Sequence, residues 1–321
     1  LRGSSDVATV TKLYKAAIEQ AHQNNMWLFE TLAENALLLF LEDRGTVDTA
    51  REQAVVLARR LKHMGATKRL AQLVSDSRYR AVLLEMEEQD RKTRSSTFLT
   101  ACLKGDLQTV KSMMQSNSED ARQLVSCRDA DQQTPLHKAA SSNSALATRI
   151  VKTLLRHGAQ VKSFDKNQST PIHFAAANGN SRTISIMLNS ISANGDDMKM
   201  LVTCRDAFGY CPLHLAVRAP LLEHDPTNAI RILLTHGGGD PNLKHSNGDT
   251  PLHIASEAGN ERAVEFLILQ PTTKLNLKDR NGETALLRAA RARHSRTVKP
   301  LLERERSEEH TSEPSHRTIS Y

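Results

Sequence analysis

The tetrapeptide Thr134-Pro-Leu-His137 recurs along the chain and decides the fold. Its copies begin at residues 134, 170, 211, 250 and 284, so successive copies are 36, 41, 39 and 34 residues apart. A period of this length is typical of proteins that stack one structural unit several times, and such stacks present an extended binding surface. The later copies are Thr170-Pro-Ile-His173, Cys211-Pro-Leu-His214, Thr250-Pro-Leu-His253 and the weaker Thr284-Ala-Leu-Leu287.

Each copy is a signal for the start of a helix. Thr is a good N-cap, because its hydroxyl accepts a hydrogen bond from a backbone N–H that has no partner within the helix. Pro is favoured at the first helical position, where no N–H is needed. The small side chains that follow, as in Leu136-His-Lys-Ala-Ala140, predict close packing between first helices. A second stretch with apolar residues at helical spacing, such as Ile150-Val-Lys-Thr-Leu-Leu155, predicts a second helix in each unit.

A turn separates each second helix from the next unit. The second helix ends near Gly, as in His157-Gly-Ala159, which permits a left-handed C-cap. An acidic residue and a tight turn follow, as in Asp279-Arg-Asn-Gly282. Gln132 and Gln168 stand where three other units have Gly, so we expect a different turn there or about 1 kcal/mol of backbone strain.

Together these features resemble ankyrin repeats over residues 95–305. Five units carry the signature, and we expect a sixth, degenerate unit at Phe98-Leu-Thr-Ala101, which lacks the Thr-Pro start. The resemblance implies an all-α fold, namely an α-solenoid of about six helix-turn-helix units with short β-hairpins. It also implies that the His of each tetrapeptide joins neighbouring hairpins by hydrogen bonds.

Two long insertions account for the uneven spacing of the units. They cover residues 189–200, after a second helix, and residues 219–227, between two helices. Leu124-Val-Ser-Cys-Arg-Asp129 and Leu201-Val-Thr-Cys-Arg-Asp206 are near copies of each other in the two irregular connections. This similarity indicates duplication of a block of two repeats.

Both ends of the chain look artificial. The first residue is Leu1 instead of Met, and the stretch from Arg306 onward resembles the in-frame translation of a sequencing adapter. We therefore expect residues 306–321 to be an artefact and the chain to be a piece of a longer protein. In the last unit Ala285 replaces Pro and Pro300 interrupts the second helix, so we expect that unit to be poorly formed or cut short by the artefact.

Residues 1–92 are predicted to form an α-helical domain in front of the repeats. Divergent helical repeats are the alternative, since Leu61-Lys-His-Met-Gly-Ala66 is similar to the end of a repeat. Residues 87–96 are charged and polar, and we interpret them as a linker or as a helix that leads into the first repeat. Apolar residues on one face predict helices over residues 7–23, 27–42, 49–64, 66–76 and 79–88.

The net charge of the chain favours solubility and does not by itself indicate a nucleic acid partner. The net charge of +7 is spread along the chain and only 4% of the residues are aromatic, so we expect no nucleic acid partner. The 4 Cys residues show no Cys-x-x-Cys spacing, which indicates a reducing compartment, and we expect the cytoplasm or the nucleus. No apolar run is long enough to cross a bilayer.

The sequence predicts no catalytic residue, no metal site and no cofactor. The tetrapeptide His residues recur once per repeat, so they are not expected to converge on one metal ion. A basic cluster near the end could contact phosphates or an acidic partner, but we interpret it as a solvated face at the end of the stack. It comprises Arg288, Arg291, Arg293, Arg296 and Lys299.

Partner binding is the predicted function. In the family, partners usually lie across the hairpin tips and the exposed ends of the first helices. Aromatic and Arg side chains dominate binding hot spots, so Phe208, Tyr210 and Arg218, which share one central repeat, are the strongest candidates. The alternative is that Phe208 and Tyr210 pack on the long neighbouring loop. The other candidates are Lys166, Asn167, Asn247 and Arg280 at the tips and Ser141, Asn178 and Glu257 at the helix ends.

Two functional hypotheses follow from the resemblance. The first is a scaffold or adaptor that binds a protein partner on its concave surface. The second is a targeting arm of a larger enzyme or channel, such as a tankyrase-like ADP-ribosyltransferase, a kinase or an ion channel.

Overall fold

The computed structural model describes residues 7–23, 37–38, 47–63, 77–115, 118–191, 195–219, 226–235 and 238–312. Contacts within the chain divide it into two compact units, Leu1–Arg94 and Ser95–Tyr321. None of the helices in these ranges is both long and apolar enough to cross a membrane.

The N-terminal unit contains helices α1 (Val7–Gln23) and α2 (Val47–His63), which confirm the helices predicted over residues 7–23 and 49–64. The helix predicted over residues 66–76, and that over residues 27–42 apart from Leu37 and Leu38, lie outside the described residues. A small apolar core holds this unit together. It comprises Leu37, Leu38, Ala50, Ala54, Leu57, Ala58 and Leu61, with Tyr14, Ile18 and Val55 packed against them.

Helix α3 (Ser77–Lys104) is longer than the helix predicted over residues 79–88. No Gly or Pro interrupts its sequence, so residues 87–96 are helical and do not form an extended linker. The helix ends before Gly105, whose φ of +77° lies in the left-handed region. Helix α4 (Leu107–Met114) follows, capped by the side chain of Asp106, so the expected degenerate repeat has its two helices.

The first and second helices of the repeats form two layers. First helices of successive repeats pack on one another, and second helices do the same. The helices are α5 (Ser118–Ser126), α6 (Pro135–Ser141), α7 (Ala147–Arg156), α8 (Pro171–Ala177), α9 (Ser181–Asn189), α10 (Gly195–Thr203), α11 (Pro212–Arg218), α12 (Pro226–Thr235), α13 (Pro251–Glu257), α14 (Glu261–Ile268), α15 (Ala285–Arg291) and α16 (Ser295–Ser312). Repeats 2 to 6 are the pairs α6 and α7, α8 and α9, α11 and α12, α13 and α14, and α15 and α16.

The core runs continuously between the two layers. Ala at the contacts between first helices lets them approach closely, as the sequence predicted, and Ala139, Ala175, Ala216, Ala255 and Ala289 are fully buried. Branched and long apolar side chains of the second helices fill the space beside them, so each repeat buries its apolar face only by stacking on its neighbours. These include Ile150, Leu154, Ile184, Met187, Ile230, Leu233, Val264 and Leu267.

Two extra helices, α5 and α10, occupy the irregular connections before repeats 2 and 4. The two near-copy sequences lie at the ends of these helices, and Leu124 and Leu201 are buried in the core. The duplicated sequence therefore corresponds to a duplicated structural element. Residues 192–194 and 220–225 of the two insertions lie outside the described residues.

The connections between repeats are tight turns. No residue in the described ranges is assigned to a strand, so the predicted β-hairpins are reduced to their turns. In repeat 3 the N–H of Asp165 donates to the carbonyl of Ser169 and the N–H of Gln168 to the carbonyl of Asp165, both at 3.0 Å. Gln132 and Gln168 have φ values of 61° and 57°, so these turns keep the left-handed geometry and accept the strain.

The prediction of a poorly formed last repeat is wrong. Helix α15 starts at Ala285 without Pro, and Thr284 accepts a hydrogen bond from the N–H of Leu287 at 3.4 Å. Helix α16 continues through Pro300 as far as Ser312, and so includes part of the segment that we assigned to an artefact. The lost Pro300 hydrogen bond is offset by packing, since Leu301 next to it is buried in the core.

The tetrapeptide His residues join successive repeats, as predicted. Thr134 and His137 form a capping box at the start of α6. Nδ1 of His137 lies 3.1 Å from the N–H of Thr134, and Nε2 lies 3.0 Å from the carbonyl oxygen of Ser169 in the next repeat. A carbonyl oxygen only accepts, so Nε2 carries the proton and Nδ1 accepts.

The same arrangement recurs in the other three His repeats. Nε2 of His173 faces the carbonyl of Tyr210 at 3.2 Å, that of His214 faces Leu243 at 2.9 Å, and that of His253 faces Glu283 at 3.0 Å. Each neutral ring therefore bridges the cap of one repeat and the turn of the next. Burial lowers the pKa of His137 and His173, and burial together with the charge of His245 lowers the pKa of His214 to about 4.

These shifts predict loss of stability in mild acid. Because the folded pKa of His214 lies below the unfolded value of about 6.5, the unfolded state binds more protons between these values. The stabilisation is complete above pH 6.5 and falls as the pH drops towards 4. For His214 alone we expect a loss of about 3 kcal/mol of unfolding free energy over this range.

Urea unfolding followed by circular dichroism at several pH values measures this loss. The variant His214→Leu, which has the side chain that repeat 6 uses at this position, should show a shallower pH dependence. His157→Leu at an exposed position is the control and should keep the dependence of the unsubstituted chain. Identical pH profiles for His214→Leu and the unsubstituted chain would contradict the assignment.

Candidate partner-binding surface along the turn tips

In repeats 2, 3, 4 and 6 the acidic residue of the turn accepts hydrogen bonds from backbone N–H groups of the same turn. In repeat 3, Oδ1 of Asp165 accepts hydrogen bonds from the N–H groups of Asn167 at 2.9 Å and Ser169 at 2.8 Å. Asp129, Asp206 and Asp279 make the same pair of bonds to the residues two and four positions later. These carboxylates fix the shape of the turns, while the side chains at the following two positions stay exposed.

Hydrogen bonds also join each turn to the next. The N–H of Lys166 donates to the carbonyl of Asp131 at 2.9 Å, and the N–H of Ala207 donates to the carbonyl of Asn167 at 2.8 Å. Between repeats 4 and 5 the hydroxyl of Ser246 donates to the carbonyl of Phe208 at 2.6 Å. The series ends with the N–H of Arg280, which donates to the carbonyl of Asn247 at 3.2 Å.

This series places the predicted tip residues along one line. We call it the tip row and define it as the residue before the turn Asp or His and the two residues after it in repeats 2 to 6. Lys166, Asn167, Phe208, Asn247 and Arg280 all belong to the row and are all exposed.

Phe208 and Tyr210 have different environments. The side chain of Phe208 is 61% exposed. Tyr210 is half-buried, and its ring contacts those of His245 and His214 at centroid distances of 4.7 and 6.2 Å. Tyr210 thus packs on His214 of its own repeat and on His245 in the turn of repeat 5, whereas the loop that we considered as its packing partner lies largely outside the described residues.

The predicted residues at the ends of the first helices also have different environments. Nδ2 of Asn178 donates to the carbonyl of Ser141 at 2.8 Å, so this amide links repeats 2 and 3. Glu257 pairs with Arg288 at 2.8 Å. Arg218 at the end of α11 is exposed. Arg218 is therefore an exposed helix-end candidate, whereas the amide of Asn178 and the carboxylate of Glu257 bind groups of neighbouring repeats.

A set of cations beside the turns was not predicted from the sequence. The residue before the turn Asp or His is basic in four of the five repeats, and each of these side chains is exposed. The basic residues could have been found from the sequence, because they occupy the same position when the repeats are aligned on the turn Asp. These residues are Arg128, Arg205, Lys244 and Lys278, with Phe164 in the remaining repeat.

Repeat 5 has a different turn chemistry. His245 replaces the turn Asp, and its Nδ1 accepts from the N–H of Asp249 at 3.2 Å, as a carboxylate oxygen does elsewhere. The carboxylate of Asp249 lies buried, and its Oδ1 is 2.7 Å from Nη2 of Arg288. Repeats 5 and 6 are therefore joined by an ion pair in addition to the His253 bond.

Arg288 corrects our interpretation of the basic cluster. It is only 8% exposed, and its guanidinium contacts Asp279 at 2.6 Å and Glu283 at 3.0 Å, besides Asp249 and Glu257. Burial acts to raise the pKa of Asp279, but the hydrogen bonds from Arg288 and two backbone N–H groups lower it to about 2. Arg288 is therefore a structural cation, and the solvated part of the cluster comprises Arg291, Arg293, Arg296 and Lys299.

The described residues contain no group of three or more His, Cys, Asp or Glu side chains arranged to hold a metal ion. What the tip row offers is a line of exposed cationic, amide and aromatic side chains on a fixed backbone. Such a surface can hold a partner by contacts along its length.

Comparison with known proteins identifies the family. A family model described as ankyrin repeats (3 copies) matches residues 63–165, 98–197, 145–237 and 213–312. The chain belongs to the ankyrin repeat family. Ankyrin repeats are protein-interaction modules that are generally not catalytic.

Several curated proteins are similar to part of the chain. A homolog of transient receptor potential cation channel subfamily A member 1 from Caenorhabditis elegans is 29% identical over 152 residues, 47% of this chain and 11% of the relative. The Drosophila melanogaster channel of the same name is 29% identical over 177 residues, 52% of this chain and 13% of the relative. Tyrosine-protein kinase Shark from Drosophila melanogaster is 34% identical over 137 residues, 42% of this chain and 13% of the relative. The chain thus spans a small fraction of the length of these relatives.

The ion pairs of Arg288 predict a large effect of its removal. The variant Arg288→Leu has an apolar side chain at the position of Leu215 and Ile254, but it leaves two buried carboxylates without their cation. We expect it to lower the free energy of unfolding by about 3–5 kcal/mol, measured by urea unfolding. Arg291→Gln, which removes an exposed partner of Glu283, is the control and should cost less than about 1 kcal/mol. Equal losses in the two variants would show that Arg288 acts only as a surface charge.

Proposed function

We propose that this array of ankyrin repeats is a protein-interaction scaffold whose partner contacts the tip row and the exposed end of helix α11. The observation that carries the proposal is the tip row itself. Hydrogen bonds within and between the turns fix its backbone, so its side chains are presented in a defined order. A surface fixed before binding loses less conformational entropy when a partner docks.

Phe208 and Arg218 are the proposed centre of the contact. Both belong to repeat 4, which has neighbours on either side, and both are exposed. A large exposed aromatic side chain on a rigid turn is a typical anchor, and Arg can donate several hydrogen bonds to carboxylates or carbonyls. Tyr210 and Asn178 support this centre from inside the array, because their side chains contact neighbouring repeats.

A second candidate function is a targeting arm of a larger channel or kinase. The matching relatives include channel subunits and a tyrosine kinase, and the matched regions cover 11% to 13% of their lengths. Sequencing the complete transcript tests this candidate. A pore or catalytic domain in the same reading frame would support the arm, and a reading frame that contains repeats alone would support the scaffold.

We propose the cytoplasm or the nucleus as the compartment. All four Cys residues of the chain are free, and burial raises the pKa of each thiol. Free thiols are typical of proteins in a reducing compartment.

Partner capture with matched variants tests the scaffold. The immobilised chain, the double variant Phe208→Ala with Arg218→Ala, and the variant Leu269→Ala are compared as baits in one cell extract by quantitative mass spectrometry. Loss of hot-spot side chains should reduce recovery of the partner about 10-fold or more. Leu269 is exposed at the end of a second helix, and its substitution should leave recovery unchanged.

Thermal unfolding by circular dichroism completes the test. We expect the double variant to melt within about 2 °C of the unsubstituted chain, because exposed side chains contribute little to stability. Unaltered recovery with the double variant, or its unfolding, would contradict the assignment of Phe208 and Arg218 to the contact.

A further inference from the structure

The exposed charges of the tip row are almost all positive. Six exposed cations lie on the row, whereas one exposed acidic residue, Asp131, lies on it. At least one cation belongs to each of the five repeats, so the charge extends along the whole row. The six are Arg128, Lys166, Arg205, Lys244, Lys278 and Arg280.

The turn carboxylates of repeats 3, 4 and 6 do not offer negative groups to a partner, and the partly exposed carboxylate of Asp129 in repeat 2 pairs with Nζ of Lys138 at 2.7 Å. Asp165, Asp206 and Asp279 are buried, and the Oδ1 atom of each accepts from two backbone N–H groups. The other oxygen of Asp279 faces Arg288. The exposed charged groups that a partner meets along the row are therefore cations, with Asp131 as the exception.

Two of the cations are held in place by the array. Nη1 of Arg128 donates to the carbonyls of Gln132 at 2.8 Å and Phe164 at 2.7 Å, and the second bond reaches the next repeat. Nζ of Lys244 donates to the carbonyl of Lys278 in the next repeat at 2.7 Å. Arg has five N–H donors and Lys has three, so both keep donors for a ligand. Their immobilisation lowers the entropy lost on binding.

We infer that the partner of the tip row is an acidic, extended protein segment. Its carboxylates pair with the cations before and after the turns, and an apolar side chain packs on the exposed ring of Phe208. Carboxylates form charge-assisted hydrogen bonds with both Arg and Lys. The inference rests on the proposed interaction function and specifies the chemistry of the partner.

A protein segment fits these observations better than a nucleic acid. Single-stranded nucleic acids need successive aromatic platforms for their bases. The row exposes two aromatic rings, those of Phe164 in repeat 3 and Phe208 in repeat 4. Phe164 precedes the turn Asp of its repeat and Phe208 follows that of its own, so the two rings do not occupy equivalent positions. Backbone N–H groups in turns can bind phosphate, but in these turns the Asp carboxylates already accept from them.

Fluorescence anisotropy with defined probes tests the inference. The main probe is a labelled dodecapeptide of Glu and Asp with one central Leu. The second is the same peptide with Gln and Asn in place of Glu and Asp, and the third is dodecauridylate. We expect the acidic peptide to bind, the neutral peptide not to bind, and the binding to weaken as salt is raised.

Charge-matched variants locate the binding site. The triple variant Lys166→Gln, Arg205→Gln and Arg280→Gln should raise Kd for the acidic peptide about 10-fold, since exposed ion pairs contribute up to about 1 kcal/mol each. The control variant Arg149→Gln, Lys152→Gln and Arg156→Gln removes the same charge from helix α7. It should change Kd less than about 2-fold. Circular dichroism confirms that both variants are folded.

Four results would overturn the inference. Equal weakening by the two triple variants would show attraction by net charge alone. Equal binding of the neutral peptide would remove the role of carboxylates, and tighter binding of dodecauridylate with the same dependence on the row would assign the surface to nucleic acid. If the acidic peptide fails to bind while capture of a protein still depends on Phe208 and Arg218, the acidic class is wrong and the scaffold function stands. Failure of both measurements overturns both proposals.

Discussion

The bridge made by each buried His is the interaction on which the stack depends. One neutral ring accepts from the cap of its own repeat and donates to a turn carbonyl of the next repeat. The arrangement satisfies polar groups at the point where two units meet, and it requires the ring to remain neutral. The apolar layers supply most of the driving force for stacking, whereas the His bridges set the register of one unit against the next. The alignment of the turns, and therefore of the tip row, follows from this register.

Much of the fold was predictable because the signals are local. Thr or Cys before Pro marks the start of the first helix in four repeats, and Gly marks the turn in three, so the repeats could be counted and placed from the spacing of these signals. Arg288 could not be interpreted in this way, since its burial depends on carboxylates that lie nine, thirty-one and thirty-nine positions away in sequence. The continuation of α16 through Pro300 also depends on tertiary packing, which offsets a local penalty. Tip positions of the candidate surface were predictable, but their linkage into one row and the cations beside it required the alignment of successive turns.

Polar chemistry changes along the array. In repeats 3 and 4 the turn Asp is satisfied by backbone N–H groups, and the residue after the tetrapeptide His is Phe174 or Leu215. Repeat 6 has Arg288 at that position and uses it to neutralise carboxylates from repeats 5 and 6. Removal of this cation would be costly, although a wholly apolar contact could be as stable. The ion cluster therefore contributes to stability and also restricts which repeat can follow repeat 5. The following repeat has to supply a cation for the buried carboxylate of Asp249.

The hydrogen bonds between turns separate two requirements that usually compete in a binding protein, namely stable folding and the freedom to change the side chains that contact a partner. Where the donor and the acceptor are both backbone groups, as between Lys166 and Asp131, replacing either side chain leaves the link intact. Such positions can exchange one partner preference for another during evolution without a loss of folding. Between repeats 4 and 5 the link uses the Ser246 hydroxyl, so residue identity at that joint is tied to the alignment of the row. Mutational tolerance should consequently be uneven along a surface whose backbone geometry is nearly periodic.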